Sequence, residues 1–545
     1  MSRGLIIETE EGEAHTFDGE PEGSSKTLAD ALAGHGFPLN TRCGERGLCR
    51  GCEVQLRAGA VLSNTGERFA APATVRACQV RMAEALTVRI PARSRIDHQP
   101  WVSETFRIEI PCAHQPLFPP GARDTAFAVD VGTTTVAVLM VDLATGQVLS
   151  RAGAFNEQIR FGDNVITRID AVRTRAGALD GMQSAIVRDT ISPLLLRACE
   201  RANRAPSRLA GGTIAGNTTM LHLLAGEDPS SLGVAPFVPR FTESRQLLAR
   251  EIGLAVGLAD GALDPDTPIQ LLPGIAAYVG ADIVAGIYAT GMAYDAFPSL
   301  LVDIGTNGEV VLQNGGKLYA CATAAGPAFE GSGLCCGTRA RDGAVSGIRL
   351  GGDPFCIDVE MIGDIPPSRA AGICGSAYVD FLSQGRSSGL LLESGRFDPE
   401  VWGRVSADHQ YEEDGERALR IAGGQRISEV DVALLLQAKA AIGAGIETLL
   451  ECAGLAASQV QRVYLAGGFG MHLDVGHAIA SGLLPGFTEE TVRVVGNTAL
   501  AGALLAIVDK TTLAEMEAMR LQVDVLELNL QEGFEDRYID HLMLP

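Results

Sequence analysis

Four cysteines are spaced for chemistry. Cys43, Cys49, Cys52 and Cys78 read C-x5-C-x2-C-x25-C. Thiolates bind soft metals, and three closely spaced cysteines with a distant fourth suit a [2Fe–2S] cluster. Zinc is the competing reading. Zinc knuckles usually pair two CxxC units, whereas one CxxC stands here with two single cysteines. Gly44, Gly47 and Gly51 let the loop curl round a core and aim N–H groups at sulfur. The remaining eight of the twelve cysteines fall in no pattern. Cys112 is read as a bystander. The adjacent Cys335 and Cys336 are read as small buried hydrophobes rather than a redox pair.

A second constellation uses Asp, Gly and Thr. Residues 126–142 read AFAVDVGTTTVAVLMVD, and residues 299–312 read SLLVDIGTNGEVVL. Each is an apolar strand ending in Asp, a Gly-Thr turn and a second apolar strand. A hairpin signal follows each, ATGQ and then NGG. Asp130 and Asp303 lie 173 residues apart, as do their glycines and threonines, which points to a duplicated domain. Glycine permits close approach to phosphate, Thr and Asn offer donors, and a strand-end carboxylate can hold magnesium. Asp130, Gly132, Thr133, Thr134 and Thr135 in one loop, with Asp303, Gly305, Thr306 and Asn307 in the other, can clamp a polyphosphate from two sides. For either loop alone, a tight hairpin is the structural alternative.

A third element, RVYLAGGFGMHL at 462–473, puts Gly467, Gly468 and Gly470 after an apolar strand. A long helical pattern precedes it and opens on a Ser428–Asp431 capping box. Helix, strand and glycines suit an adenosine pocket. Glu309 and Glu330 are the candidates for a water-activating base, or else charges at a surface or core edge. Gly216–Thr219 and Gly372–Ser376 read as turns or ligand loops. His222 and His472 read as structural.

The elements that position these residues are also legible. LIIETE, CEVQL and ALTVRI read as strands and KTLADALAGHGF as a helix. The domains read as 1–93 (cluster domain), 94–124 (proline-rich linker), 125–210 (first subdomain) and 211–545 (large C-terminal domain, an ATPase domain by the resemblance described below). The fold class is therefore α/β and multidomain. Lysine and arginine total 44 against 66 aspartates and glutamates, a net charge of −22. That argues against nucleic acid or an anionic membrane as partner. The N-terminus is too acidic for a signal peptide, and no run of about 18 uninterrupted apolar residues predicts a membrane span. A cytoplasmic protein is expected. Residues 1–93 carry 11 basic and 12 acidic side chains, so nearly all the acidity lies beyond them. Arg42, Arg46, Arg50 and Arg57 outnumber Glu45 and Glu53 around the cysteine loop. Such a rim suits an acidic electron donor, or is simply solvated.

The longer first gap resembles the adrenodoxin-like variant of the plant-type spacing, and the unit resembles a β-grasp ferredoxin. VDVGTTT, VDIGTNGEV and YLAGGFG, with VGNTALAGALL as a connecting helix, resemble the acetate/sugar kinase, Hsp70 and actin superfamily. That implies two ribonuclease-H-like halves with ATP between them. NEQIRFGDNVITRI, AGNTTMLHLLAG, AAGPAFEG, GICGSAYVD and LAGGFGMHLDVGHAIASGLLP occur in order along the chain. Together with the cluster domain they resemble the reductive activators of corrinoid proteins. The resemblance implies a [2Fe–2S] cluster, ATP and Mg2+, and ATP-dependent return of Co(II) to Co(I) for methyl transfer. It also implies a corrinoid protein as partner, a ferredoxin or flavin reductase as donor, and a homodimer. The alternatives are an activator of another low-potential metalloenzyme, a metabolite kinase with an appended ferredoxin domain, and an electron-transfer module with a regulatory nucleotide site.

Overall fold

The computed structural model describes residues 2–8, 14–21, 26–39, 52–91, 94, 106, 114–257, 261–352, 355–413, 415–468 and 473–545. Cys43, Cys49, Cys112, Gly470, His472 and the arginines at 42, 46 and 50 lie outside the described residues. The chain divides into two compact units. One comprises Met1–His98 with Glu157–Ala178, and the other Gln99–Asn156 with Leu179–Pro545.

In the first unit, a five-stranded sheet runs in the order Ala14–Pro21, Ser2–Glu8, Leu86–Arg89, Glu53–Ala58, Ala73–Arg76. Ser2–Glu8 pairs parallel to Leu86–Arg89 and antiparallel to Ala14–Pro21, as a β-grasp requires. Alternation places Leu5, Ile7, Val54, Leu56 and Val88 in the core. The helix Leu28–Gly34 starts on a capping box in which Thr27 and Asp30 satisfy each other's backbone N–H groups. It buries Leu28, Ala29, Ala31 and Leu32. All four segments expected here from sequence are present.

The second unit repeats one sheet plan twice. The first sheet runs Val148–Phe155, Thr135–Asp142, Thr125–Val131, Leu209–Gly216, Pro268–Leu271, Arg245–Leu248. The second runs Lys317–Thr323, Gly308–Asn314, Ser299–Ile304, Arg462–Ala466, Val492–Gly496, with Val523–Val525 beyond Lys317–Thr323. In each, three consecutive strands form an antiparallel meander, one later strand joins the first of them in parallel, and a second later strand joins that one in parallel. The sequence echo is therefore a true structural duplication. A boundary at residue 210 would cut Leu209–Gly216 near its start. The first sheet continues past it because that strand pairs with Thr125–Val131 and then with Pro268–Leu271.

The Glu429–Cys452 helix opens on the expected Ser428–Asp431 capping box. By length and composition it is apolar enough to cross a membrane, but 78% of its most apolar stretch is buried. Its Ile446 packs in a core with Val302 and Val310. Two shorter helices, Ala281–Thr290 and Thr498–Val508, cross through small residues. A Cβ on Gly502 would lie 2.6 Å from Ala285 Cα, and one on Gly286 would lie 2.9 Å from Thr498 Oγ1. Glycine is what allows this approach, and the approach brings both helix N-termini to one place.

Candidate functional site

The sulfurs of Cys52 and Cys78 lie 3.3 Å apart. Cys52 precedes the Glu53–Ala58 strand, Cys78 lies in a short turn, and the Ala77 N–H donates to the Cys52 carbonyl at 3.0 Å. The separation far exceeds a disulfide's ~2.05 Å. It is close to the ~3.7 Å between two thiolates on one tetrahedral metal at about 2.3 Å each. Both cysteines are buried. The pair fits two ligands of one iron.

In the second unit, the two Asp-Gly-Thr loops meet. Thr134 Oγ1 and Thr306 Oγ1 are 3.1 Å apart. Each loop is closed by its glycine, Gly132 N–H to Thr135 O and Gly305 N–H to Asn307 O, both at 3.0 Å. A Cβ on Gly132 would come within 2.6 Å of the Thr135 carbonyl, so this turn excludes side chains. One cleft is lined by Asp130, Thr133, Thr135, Asp303, Asn307, Glu309, Glu330, Gly467 and Gly468. Every described candidate of the phosphate and glycine loops is thus in one place.

Asn217, from the Gly216–Thr219 segment read as a turn or ligand loop, lines the cleft too. Sequence reasoning missed Asp282 and Asn497, which join it there, and each of the three lies at the start of a helix. Asn217 Nδ2 donates to Thr133 Oγ1 at 2.9 Å, and Asn497 Nδ2 to Asp130 Oδ2 at 2.8 Å. Helix N-termini carry partial positive charge and bare N–H groups, which favour phosphate. Arg339 was missed too. Its guanidinium donates to Thr134 Oγ1 at 3.2 Å, lies 3.8 Å from Glu330 and covers the Phe155 ring. It supplies positive charge beside the loops.

The cleft is otherwise acidic. Burial pushes the Asp130 carboxyl up to about 6. Burial and then the charge of Asp130 push Asp303 up to about 7. Burial and then Asp303 and Asp130 push Asp282 up to about 8. Glu309 is driven upward by burial and by Asp282 and Asp303. These mutually repelling oxygen donors suit a hard cation. Among the described residues, no three His, Cys, Asp or Glu side chains converge closely enough to hold a metal by themselves. Such an ion would complete its shell with water and phosphate oxygens.

Of the two base candidates, Glu330 accepts the Thr306 hydroxyl at 3.0 Å, while Glu309 is buried on the cleft wall. His222 is structural. Its Nδ1 is 2.7 Å from the Thr218 carbonyl, and its Nε2 accepts the Arg240 N–H at 3.0 Å. In Gly372–Ser376, Gly372 and Ile373 form a short strand and Cys374 caps the helix that Gly375 and Ser376 open, and none of the five lines the cleft. The reading of Cys335 and Cys336 as buried hydrophobes is corrected. Cys335 is exposed, and Cys336 is half-buried against the core that Leu334 enters.

Gly467 has φ +93°, and a Cβ there would meet Ile304 O at 2.5 Å and Asp303 Oδ1 at 2.8 Å. Gly467→Ala therefore costs about 1–3 kcal/mol in strain and displaced neighbours. ATP affinity measured by calorimetry is expected to fall about tenfold, the equivalent of 1.4 kcal/mol. Unchanged affinity would remove Gly467 from the nucleotide site.

Comparison with known proteins agrees with this geometry. A 2Fe-2S iron-sulfur cluster binding domain model matches residues 8–83, a RACo middle region model 125–295, and the C-terminal RACo ASKHA domain model 298–545. The corrinoid activation enzyme RamQ of Eubacterium limosum is 30% identical over 430 residues, covering 76% of this chain and 70% of RamQ. The [Co(II) methylated amine-specific corrinoid protein] reductase of Methanosarcina barkeri is 25% identical over 446 residues, 76% of each chain. The solved structure of a reductive activator for a corrinoid, iron-sulfur protein superposes with TM-score 0.71 at 27% identity. It covers 100% of this chain and 98% of its own.

Proposed function

This chain belongs to the family of RACo-type reductive activators of corrinoid proteins, and we propose the following division of work among its parts. The activity is ATP-dependent reductive activation, which returns Co(II) of a corrinoid protein to Co(I). A [2Fe–2S] domain and an ASKHA nucleotide-binding domain are its two working parts. Cys43, Cys49, Cys52 and Cys78 hold the cluster, which when bound supplies single electrons.

The observation that carries the nucleotide role is the 3.1 Å contact between Thr134 and Thr306. One loop comes from each half, so a polyphosphate bound there touches both halves and favours one separation of them. Gly132, Thr133 and Thr135 bind on one side, and Gly305, Thr306 and Asn307 on the other. Asp130, Asp282 and Asp303 hold Mg2+, directly or through water, with Arg339 on the phosphates. Glu309 positions the attacking water, since Glu330 is engaged with Thr306. Gly467, Gly468 and Gly470 receive the adenosine.

ATP is needed because cobalt with an axial ligand is hard to reduce, and each 59 mV of one-electron mismatch costs about tenfold in equilibrium. The ATP-bound conformation favours loss of that ligand in the docked corrinoid protein. The partner is a corrinoid protein of a methyltransferase system. The donor is an acidic ferredoxin or flavin reductase, suited to the arginine-rich rim. A cytoplasmic setting keeps the cluster thiolates reduced.

Reduced protein mixed with a Co(II) corrinoid protein is expected to give the Co(I) absorption only when Mg-ATP is present. An equal signal without ATP would favour the regulatory-nucleotide alternative. Phosphorylation of a metabolite would favour the kinase.

A further inference from the structure

A third chemical feature lies between two residues of the nucleotide cleft. Glu330 and Arg339 flank the loop 331–338, which carries Cys335 and Cys336. The loop is pinched at its neck, where a Cβ on Gly337 would lie 2.1 Å from Gly331 O. Backbone bonds fasten its far side, Thr338 N–H to Ile373 O at 2.9 Å and Ile373 N–H to Cys336 O at 2.8 Å.

The two sulfurs have different environments. Cys336 Sγ accepts the Arg426 N–H at 3.3 Å. Cys335 Sγ donates to Asp431 Oδ2 at 2.8 Å, and the Cys335 N–H donates to Asp431 Oδ1 at 2.7 Å. Asp431 is buried in the helix capping box. The Tyr378 phenol, within electrostatic reach of both sulfurs, is buried and its hydroxyl has no hydrogen-bond partner among the described residues. Cys335 and the Arg426 N–H hold the Cys336 thiol down to about 7. One sulfur is thus set up as a thiolate and the other as a thiol beside a carboxylate base, the asymmetry that thiol–disulfide exchange uses.

We propose that Cys335 and Cys336 form a reversible thiol–disulfide modification site that couples oxidation by low-molecular-weight disulfides to the nucleotide cleft. The Cys336 thiolate attacks the disulfide RSSR, forming a mixed disulfide and releasing RS−. Cys335 gives its proton to Asp431 and attacks the Cys336 sulfur, releasing the second RS−. The net change is two protein thiols plus RSSR to one protein disulfide plus two RSH. Neighbouring Cα atoms lie about 3.8 Å apart, shorter than the ~4.4–6.8 Å of a relaxed disulfide. The ring is therefore strained and readily reduced again. Closing it twists the Cys335–Cys336 peptide and weakens the bonds from Cys336 to Ile373 and Arg426. The loop then moves, and Glu330 and Arg339 move with it.

The test uses the full-length reduced protein with glutathione disulfide under anaerobic conditions, with cluster absorbance followed throughout. Peptide mapping should show loss of two hydrogens on the Cys335–Cys336 peptide. Affinity for a fluorescent ATP analogue should fall about tenfold, with the cluster spectrum unchanged, and recover with thiol. Cys336→Ser should bind the analogue normally and be insensitive. Three results would overturn the proposal: no disulfide on that peptide, a glutathione adduct that never closes, or a closed disulfide with unchanged nucleotide affinity. A Cys336→Ser protein still sensitive to glutathione disulfide would also overturn it.

Discussion

Cys78→Ser is expected to bleach the visible absorption and stop reductive activation. Cys78 and Cys52 are buried with their sulfurs 3.3 Å apart, so both project at one point. Serine occupies nearly the same space, but its hydroxyl is a hard ligand that resists deprotonation, whereas iron–sulfur cores are held by soft thiolate. Corrinoid reduction should fall by at least about 100-fold, the upper range seen for losing a mere supporting group at a metal site. Nucleotide binding should persist, because both phosphate loops belong to the other compact unit. Cys356→Ser is the control. That cysteine is exposed and donates to the Gly351 carbonyl, so its loss should leave the spectrum unchanged. A Cys78→Ser protein with an intact spectrum and iron content would remove Cys78 from the ligand set. Zinc in place of iron in the wild type would restore the reading that cysteine spacing alone left open.

What the sequence made legible was local. Cysteine spacing and the Asp-Gly-Thr repeat are written within short windows, and the duplicated strands followed from the repeat. What it hid depends on packing. Asp282 follows Gly280-Ala281 at a helix start, where acidic residues are ordinary. Only the crossing of Ala281–Thr290 with Thr498–Val508 brings Asp282 and Asn497 to the same cleft. Arg339 is one of many arginines until the fold sets it against Thr134, 205 positions away. The first sheet's continuation past residue 210 depends on parallel pairing between distant strands, which leaves no signature at the boundary. The exposure of Cys335 was hidden because adjacent Leu334 and Cys336 pack on the core, and sequence alone does not show which side chain of such a loop turns outward.

Asp303→Asn is expected to stabilise the empty protein and disable the loaded one. The Asp303 carboxyl sits at about 7 rather than its ordinary 3.8, through burial and then the charge of Asp130. The folded state holds that proton more tightly than the unfolded chain does. The stability from this group is therefore full below about pH 4, and it is lost as pH rises through 7. Asparagine has no such loss. Without nucleotide or metal, the variant should gain on the wild type between pH 5 and pH 8. The gain should be at least about 1 kcal/mol, since each tenfold difference in proton affinity between folded and unfolded chain is worth ~1.4 kcal/mol. It extends to neighbours, because the Asp303 charge also pushes Asp282 and Glu309 upward. Hydrolysis should move the other way. Losing a charge proposed to anchor the cation and orient phosphate should cost about 100-fold or more, the range seen when one preorganised group at a developing charge is removed. Ligand adds stability only to a protein that binds it, so Mg-ATP should raise the wild-type melting temperature well above that of the variant. The order of stability thus reverses on adding Mg-ATP at pH 8. Had these carboxylates been ordinary surface charges, no reversal would occur. A variant no more stable than wild type when empty would mean that the four acids do not repel one another in the folded cleft.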